Sequence, residues 1–155
     1  MSKAVIQGVQ IKRLTPHADE RGYLMELLRS DDEIFTTFGQ CYVSLNYPGV
    51  IRAWHYHKKQ EDYFVVVRGM CKVGLYDMRE GSPTKGQAEA HYLGENNNIV
   101  LRIPIGVAHG YKTVGTEPSL LVNFPTQLYN SDEPDEHRIP WDAPDIPFNW
   151  EIEFK

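Results

Sequence analysis

The sequence has few cysteines and no long apolar run, which argues against several classes of protein. Two cysteines in 155 residues are too few for a disulfide-rich secreted scaffold, and we expect Cys41 and Cys71 to be buried free thiols rather than a disulfide. No apolar run approaches the about 18 residues of a membrane span. The N-terminal segment alternates polar and apolar residues and lacks the apolar centre of a signal peptide. We therefore expect a cytoplasmic protein with no membrane partner.

Positive charge is also scarce. The chain has 16 lysine and arginine residues against 21 acidic ones, which gives a net charge of −5. Proteins that bind nucleic acid usually present a basic face, so we expect no nucleic-acid partner, although a few local arginines could still bind a small anion. With 41% hydrophobic residues and no repeat or linker, the chain predicts a single globular domain over residues 1–155.

Short apolar segments separated by turn residues dominate the sequence. They are rich in Val, Ile, Tyr and Phe, which favour β-strands. Ten such segments in a chain of this length predict an all-β sandwich or barrel. The predicted strands cover residues 4–14, 23–28, 40–45, 51–56, 63–67, 70–77, 88–93, 98–103, 108–113 and 120–125.

Two segments depart from the strand pattern. Residues 31–38 predict a short helix, because Ser30 and Glu33 have the spacing of a capping box and Gly39 would end the helix. After residue 130, prolines exclude a long helix. Aromatic side chains predict that this tail packs on the barrel, namely Trp141, Phe148 and Trp150.

The segment W-H-Y-H-K-K-Q-E-D contains most of the side chains that could carry chemistry. Alternate residues of a strand point to the same side of a sheet, so we expect His55 and His57 to lie together. Asp62 follows a short turn and could return to the same face, and His109 comes far downstream after a Pro-x-Gly turn. From the residues alone, this group could bind a metal, transfer protons or lie on a solvated strand.

Two blocks of the sequence resemble the two motifs of the cupin superfamily. G-V-I-R-A-W-H-Y-H-K-K-Q-E-D-Y-F-V-V-V-R-G is similar to the first motif, and P-I-G-V-A-H is similar to the second. The resemblance implies a cupin-type jelly-roll β-barrel with a site in its mouth. It also allows a divalent transition metal. The ligands would be His55, His57, Asp62 and His109, with Glu61 as an alternative carboxylate.

A closer resemblance covers nearly the whole chain. The blocks D-E-R-G-Y-L-M-E, D-M-R-E-G-S-P-T-K-G and I-P-I-G-V-A-H-G-Y are similar to blocks of the dTDP-4-dehydrorhamnose 3,5-epimerase family, in the same order. This family is a cupin branch that acts on nucleotide-linked 4-keto-6-deoxy sugars. The resemblance therefore implies a nucleotide-sugar substrate and no required cofactor. It also implies a homodimer in which N-terminal strands pair between subunits.

The same resemblance assigns roles to individual residues. His55 matches the base that removes the proton next to the ketone, a task that suits an imidazole. The pair His55 and His57, followed by Gln60, also resembles the related 3,4-ketoisomerases, where two histidines move protons without a metal. Arginines suit a pyrophosphate through charge-assisted, often bidentate hydrogen bonds. Positions that match the family's substrate site are Arg21, Glu26, Gln40, Arg52, His109 and Tyr129. Gln60 and Asn123 are further candidates for substrate binding.

Three positions depart from the family pattern. Asn123 occupies the position of the tyrosine that serves as the opposing acid, Asp62 occupies that of an active-site lysine, and His57 has no usual counterpart. Asp62 is also a candidate to orient His55, because the family aspartate with that role has no match in this sequence. Candidates to replace the lost tyrosine are Tyr56, Tyr63 and Tyr111.

These observations leave three functions open. The first is an isomerase that epimerises a nucleotide-linked 4-keto-6-deoxy sugar, with His55 as the base. The second is a metal-binding cupin enzyme of another class, such as a 3,4-ketoisomerase or an oxygenase. The third is a non-catalytic sugar-nucleotide binder, which the Asn123 replacement favours. We rank the first ahead, because both histidines of the pair and the arginines are present.

Overall fold

Twelve strands form two five-stranded antiparallel sheets and one hairpin in the computed structural model, which describes residues 4–153. The first sheet has the order β1 (Gln10–Arg13), β9 (Ile99–Ile103), β6 (Asp62–Arg68), β11 (Ser119–Asn123) and β4 (Tyr42–Asn46). The second sheet has the order β12 (His137–Arg138), β5 (Ile51–Tyr56), β10 (Val107–Val114), β7 (Met70–Asp77) and β8 (Ala88–Gly94). The separate hairpin consists of β2 (His17–Asp19) and β3 (Gly22–Leu24).

The main core lies between the two sheets. Phe64 and Val66 on β6 of the first sheet pack in one cluster with Val73 and Leu75 on β7 of the second. Each buried apolar side chain of this size contributes about 1.5–3 kcal/mol relative to an exposed one. The short apolar segments of the sequence therefore form two sheets that pack face to face, and the all-β prediction is confirmed.

The outer face of the first sheet is covered by the segment that was predicted to be helical. That prediction is wrong, because residues 30–34 form turns and no helix follows within the described chain. Ile34 is buried against Tyr63 and Val65 of β6, and the Asp32 carboxylate accepts a hydrogen bond from the backbone N–H of Arg29. Burial of the apolar side chain on the sheet outweighs the local capping signal.

The outer face of the second sheet is covered by the C-terminal tail, as predicted. Trp54 of β5 packs against Phe148 and Trp150, with ring centroids 5.2 and 4.9 Å away. Gly74 on β7 makes this approach possible, since a Cβ there would lie 2.8 Å from the Phe148 ring. The expectation for Trp141 is wrong, because 53% of that residue is exposed. The tail is therefore held by two of its three large aromatic side chains.

Each predicted strand overlaps an observed one, and β5 and β7 have the predicted bounds. The first predicted strand is shortened to Gln10–Arg13, because the chain turns at Gly8 with φ of +86°. The hairpin strand β2 and the two-residue strand β12 were not predicted, since three and two residues are too short to reveal an alternating pattern.

The two cysteines differ in their surroundings. Both are free thiols, and Cys71 is buried as expected. The prediction for Cys41 is wrong, because this residue is exposed just before β4. No helix in the described part of the chain is long and apolar enough to cross a membrane.

The packing of the tail leads to a stability prediction. Trp150→Ala should lower the free energy of unfolding by about 3 kcal/mol, since it leaves a cavity between the tail and Trp54. Trp141→Ala is the matched control and should change it by less than about 0.5 kcal/mol. Urea denaturation followed by circular dichroism measures both. Equal effects of the two substitutions would contradict this account of the tail.

Candidate active site

A polar cavity of about 420 Å³ lies between the two sheets. The strands β4 and β6 of the first sheet and β5 and β10 of the second supply its walls, and the C-terminal tail supplies part of its rim. Its polar lining side chains include Tyr42, Ser44, Arg52, His55, His57, Asp62, His109, Tyr111, Glu136 and Arg138. This position, in the mouth of a double-sheet barrel, is a usual place for a small-molecule site.

The predicted pair of histidines does lie in this cavity. His55 is on β5 and is the cross-strand partner of His109 on β10. The turn after His57 is held by the carboxylate of Asp135, which accepts hydrogen bonds from three consecutive backbone N–H groups at 58–60. The Asp135 carbonyl also accepts a hydrogen bond from His57 Nδ1. The tail therefore determines the conformation of the turn that follows the histidine pair.

Asp62 is the centre of a buried polar cluster. Its Oδ2 lies 3.1 Å from Nε2 of His57 and 3.1 Å from Nε2 of His109. Its Oδ1 accepts hydrogen bonds from the Gln60 amide at 3.1 Å and the Asn123 amide at 3.0 Å. A buried carboxylate needs such partners, because an isolated ion in the interior is strongly disfavoured. Each carboxylate oxygen of Asp62 therefore has two polar neighbours.

The electrostatics of the cluster favour charge separation. Burial by itself would raise the pKa of Asp62, but the contacts and charges of His109 and His57 outweigh it and hold that pKa far below its usual range. Burial by itself would lower the pKa of His57. The contacts of the His57 ring with Asp62 and with the backbone carbonyl of Asp135 outweigh burial, so the pKa of His57 is raised. Asp62 is therefore ionised, and a positive charge on His57 is favoured.

Three of the four predicted metal ligands converge on one point. The nearest ligand atoms of His57, Asp62 and His109 all lie within 4.8 Å of one another. Nδ1 of His109 is 3.0 Å from the carbonyl of Val107, an outer contact that is common for metal-binding imidazoles. These three side chains could hold a divalent cation. His55 is not part of this group, so the structure brings together three of the four predicted ligands.

The alternative carboxylate, Glu61, does not belong to the cluster. Its carboxylate is paired with Arg102 at 2.6 Å and accepts a hydrogen bond from the Thr36 hydroxyl at 2.7 Å. The register of β6 directs Asp62 into the cavity, and the adjacent residue of a strand points to the opposite face. Asp62, and not Glu61, is therefore the carboxylate of the site.

His55 has a different carboxylate partner from the one that the sequence predicted. Its Nδ1 lies 3.1 Å from Oε1 of Glu136, which also accepts two hydrogen bonds from the Arg138 guanidinium. Asp62 contacts His57 and His109 instead, so the prediction that Asp62 orients His55 is wrong. Burial and the nearby His109 lower the pKa of His55, which favours a neutral imidazole. We assign its proton to Nδ1, facing Glu136, and the lone pair to Nε2.

The predicted arginines occupy different surroundings. Arg52 lines the cavity and donates from Nε to the Asn46 side chain at 2.9 Å. Arg21 lies outside the cavity lining, 85% exposed and paired with Asp19 in the β2–β3 hairpin. Glu26 is also outside the lining and pairs with a neighbouring arginine. Within this chain, the structure therefore does not bring Arg21 and Glu26 to the cavity.

A smaller cavity of about 190 Å³ adjoins the main one and shares Glu136 with it. Gln60 and Tyr129, both predicted site residues, line this smaller cavity. Gln40 lines neither cavity, but its side-chain oxygen accepts a hydrogen bond from the backbone N–H of Tyr129 at 3.2 Å. Gln40 therefore supports the chain beside the site.

Sequence reasoning missed four polar lining residues, namely Tyr42, Ser44, Glu136 and Arg138. Glu136 and Arg138 lie in the C-terminal tail, to which sequence reasoning assigned only packing on the barrel. Tyr42 lies within the predicted strand 40–45 and faces the same side as Ser44, but no role was assigned to it from sequence. A strict period of two, applied from Tyr42 to Asn46, would have indicated this inward face.

The double-sheet barrel with histidines and a buried carboxylate in its mouth defines a cupin-type protein. The chain belongs to the dTDP-4-dehydrorhamnose 3,5-epimerase family, whose model matches residues 3–155. The family resemblance read from the sequence blocks is therefore confirmed, over nearly the whole chain.

The similar proteins agree with this assignment. The spore coat polysaccharide biosynthesis protein SpsL of Bacillus subtilis is 49% identical, over 97% of this chain and 100% of that protein. The probable low-salt glycan biosynthesis epimerase Agl13 of Haloferax volcanii is 48% identical, over 96% of each chain. The crystal structure of a dTDP sugar isomerase from Desulfovibrio desulfuricans has a TM-score of 0.88 and 36% identity, and the match covers 94% of this chain and 92% of that one. The predicted cupin-type jelly-roll fold is confirmed.

Proposed function

We propose that this protein is a cytoplasmic enzyme that epimerises a nucleotide-linked 4-keto-6-deoxy sugar. The observation that carries the proposal is the pair of His55 and Glu136, 3.1 Å apart in the lining of a polar cavity. An imidazole oriented by a carboxylate is suited to remove a proton from carbon. Membership of the epimerase family supports the same reaction class.

The first step is removal of the proton next to the ketone. The Nδ1–H of His55 donates to Glu136, so Nε2 is free to accept the proton and the electron pair moves into the ketone as an enolate. The lowered pKa of His55 favours its unprotonated form near neutral pH. Glu136 acts as a positioning residue, because it holds the ring and stabilises the imidazolium that forms.

Positive groups around the cavity suit a negatively charged substrate. Arg52 and Arg138 lie in the lining and could bind a pyrophosphate by charge-assisted hydrogen bonds. The net negative charge of the chain does not oppose this local arrangement.

This mechanism predicts exchange with solvent. The protein, incubated with dTDP-4-keto-6-deoxyglucose in D₂O, should place deuterium next to the ketone, as read by proton NMR. His55→Asn should slow this exchange by about 100-fold or more, because the base is lost. Glu136→Gln should slow it by about 10-fold, because the base remains but its carboxylate partner is lost.

Glu117→Gln, in an exposed loop, is the matched control and should leave the exchange rate unchanged. The absence of exchange on this substrate and on its UDP, GDP and CDP counterparts would contradict the epimerase. Binding of dTDP without any exchange would instead support a non-catalytic sugar-nucleotide binder.

A metal-dependent cupin enzyme is the second candidate function. The convergence of His57, Asp62 and His109 favours it, since two imidazoles and one carboxylate suit several transition metals. The epimerase mechanism, by contrast, assigns no step to a cation. Both candidates place the reacting sugar in the same cavity, so they differ in the need for metal and not in the location of the site.

Chelation separates the two candidates. We expect the D₂O exchange to persist after treatment with EDTA and dialysis, because His55 and its carboxylate partner act without a metal. Elemental analysis of the treated protein verifies that the metal has been removed. Loss of exchange that is restored by one equivalent of a single transition metal would favour the metal-dependent enzyme.

We also propose that the protein is a homodimer. All six residues of β2 and β3 are exposed, and among them Tyr23 and Leu24 are 60% and 65% exposed. The edge strand β4 adds Val43 and Leu45 on its exposed face. Apolar side chains at a sheet edge favour association with a second chain, which would also give Arg21 of the hairpin a place near a site.

A substitution in the hairpin tests the dimer. Leu24→Glu should shift the sedimentation coefficient from that of a dimer to that of a monomer, because it places a charge in the proposed interface. Leu128→Glu, at another exposed leucine, should leave the dimer intact. A wild-type protein that sediments as a monomer would contradict the proposal.

A further inference from the structure

Inversion at carbon needs a proton donor on the face opposite the base. The family resemblance places a tyrosine in that role, but this chain has Asn123 at the matching position, and a carboxamide is not an acid. The proposed epimerisation, on which this inference rests, therefore requires another donor. The donor should lie on the first sheet, because His55 lines the cavity from β5 of the second.

Tyr42 lies beside the position that lost its tyrosine. It is on β4, and its Cα is the direct cross-strand partner of Asn123 on β11. The Asn123 amide donates to the Tyr42 hydroxyl oxygen at 3.0 Å and to Asp62 Oδ1 at 3.0 Å, while its own oxygen accepts from the backbone N–H of Tyr63. These three contacts fix the orientation of the amide.

This arrangement leaves the phenolic proton of Tyr42 available. The contact with Asn123 uses a lone pair of the hydroxyl oxygen, and among the described residues no acceptor takes the Tyr42 proton. Tyr42 also lines the cavity that contains His55. A hydroxyl that accepts a hydrogen bond from a fixed amide can direct its own O–H into the cavity.

The tyrosines proposed from sequence are less suited to this task. Tyr111 lines the cavity, but its hydroxyl donates to Ser44 at 2.8 Å. Tyr63 is fully buried, and its hydroxyl donates to the carbonyl of Ile34. Tyr56 is outside the cavity lining and stacks on the ring of His137.

We propose that Tyr42 is the acid that returns a proton to the substrate from the face opposite His55. In this step the O–H bond of Tyr42 breaks and a C–H bond forms on the enolate carbon. The enolate electron pair becomes that C–H bond, and the ketone carbonyl is restored. The proton removed first remains on His55, so the enzyme then holds an imidazolium and a tyrosinate, which exchange protons with water before the next turnover.

The environment of Tyr42 fits a donor. Partial burial of the hydroxyl, with the negative charge of Asp62 nearby, raises its pKa to about 12, so the phenol stays protonated at neutral pH. The residue as a whole is 46% exposed, which allows water to reload the hydroxyl. Across a strand pair, Cα atoms are only about 4.5–5.5 Å apart. A tyrosine on β4 can therefore serve the cavity that a tyrosine on β11 would serve.

The test separates proton abstraction from inversion. Tyr42→Phe should still exchange the substrate hydrogen for deuterium in D₂O, with retention of configuration, because His55 and Glu136 are intact. Formation of the inverted sugar should fall by about 100-fold or more, the loss expected when a general acid is removed. Proton NMR reads both quantities in the same sample.

Controls verify that the loss belongs to the hydroxyl. Tyr47→Phe, at an exposed tyrosine just beyond β4, should retain inversion at the wild-type rate. The thermal midpoint and dTDP affinity of Tyr42→Phe should match those of the wild type. The double variant Tyr42→Asn with Asn123→Tyr returns a phenol to the same strand pair and should restore part of the inversion that Tyr42→Phe loses.

Each other outcome overturns the assignment. Inversion by Tyr42→Phe within about threefold of the wild type would show that another group is the acid. Loss of both exchange and inversion in a folded, dTDP-binding variant would show that Tyr42 acts in the abstraction step instead. A wild-type protein that exchanges no proton would overturn the proposed epimerase itself, and the role of Tyr42 would fall with it.

Discussion

The buried carboxylate of Asp62 is the interaction on which the site depends. An ionised group in the interior is tolerated only with close polar partners. Asp62 has four of them, two on the strands β10 and β11 and two in the segment that connects β5 to β6. One oxygen of the Asp62 carboxylate contacts His57 and His109, and the other accepts a hydrogen bond from Asn123. Because Asn123 is held in this way, it can also hold the hydroxyl of Tyr42. One carboxylate thus connects the base of the cavity to its first-sheet wall.

The C-terminal tail completes the site from outside the second sheet. Its aromatic anchors pack on Trp54, the residue next to His55, and its polar residues 135–138 reach over the edge of the sheet. Glu136 then contacts His55, and Asp135 secures the turn after His57. The same segment therefore packs on one face of β5 and contacts His55 on the other.

Much of this architecture was predictable from local patterns. Strands such as β5 and β7 are segments of six and eight residues bounded by turn residues. His55 and His57 were expected to share a face because the strand period is two. The predicted helix at 31–38 failed because its capping signal was local, whereas the burial of Ile34 depends on the surface of β6. The partner of His55 was misassigned because Asp62 is near in sequence, and Glu136, 81 residues away, is near only in space.

The amino-acid sequence by itself determined the all-β class, the family and the histidine pair, because these follow from periodicity and from blocks of adjacent residues. Only the tertiary structure decided which carboxylate serves which histidine, and which tyrosine faces the cavity. Those choices depend on strand register and on contacts between distant segments, since a shift of one residue would turn each side chain to the other face of its sheet. The cross-strand pair of Tyr42 and Asn123 is such a choice.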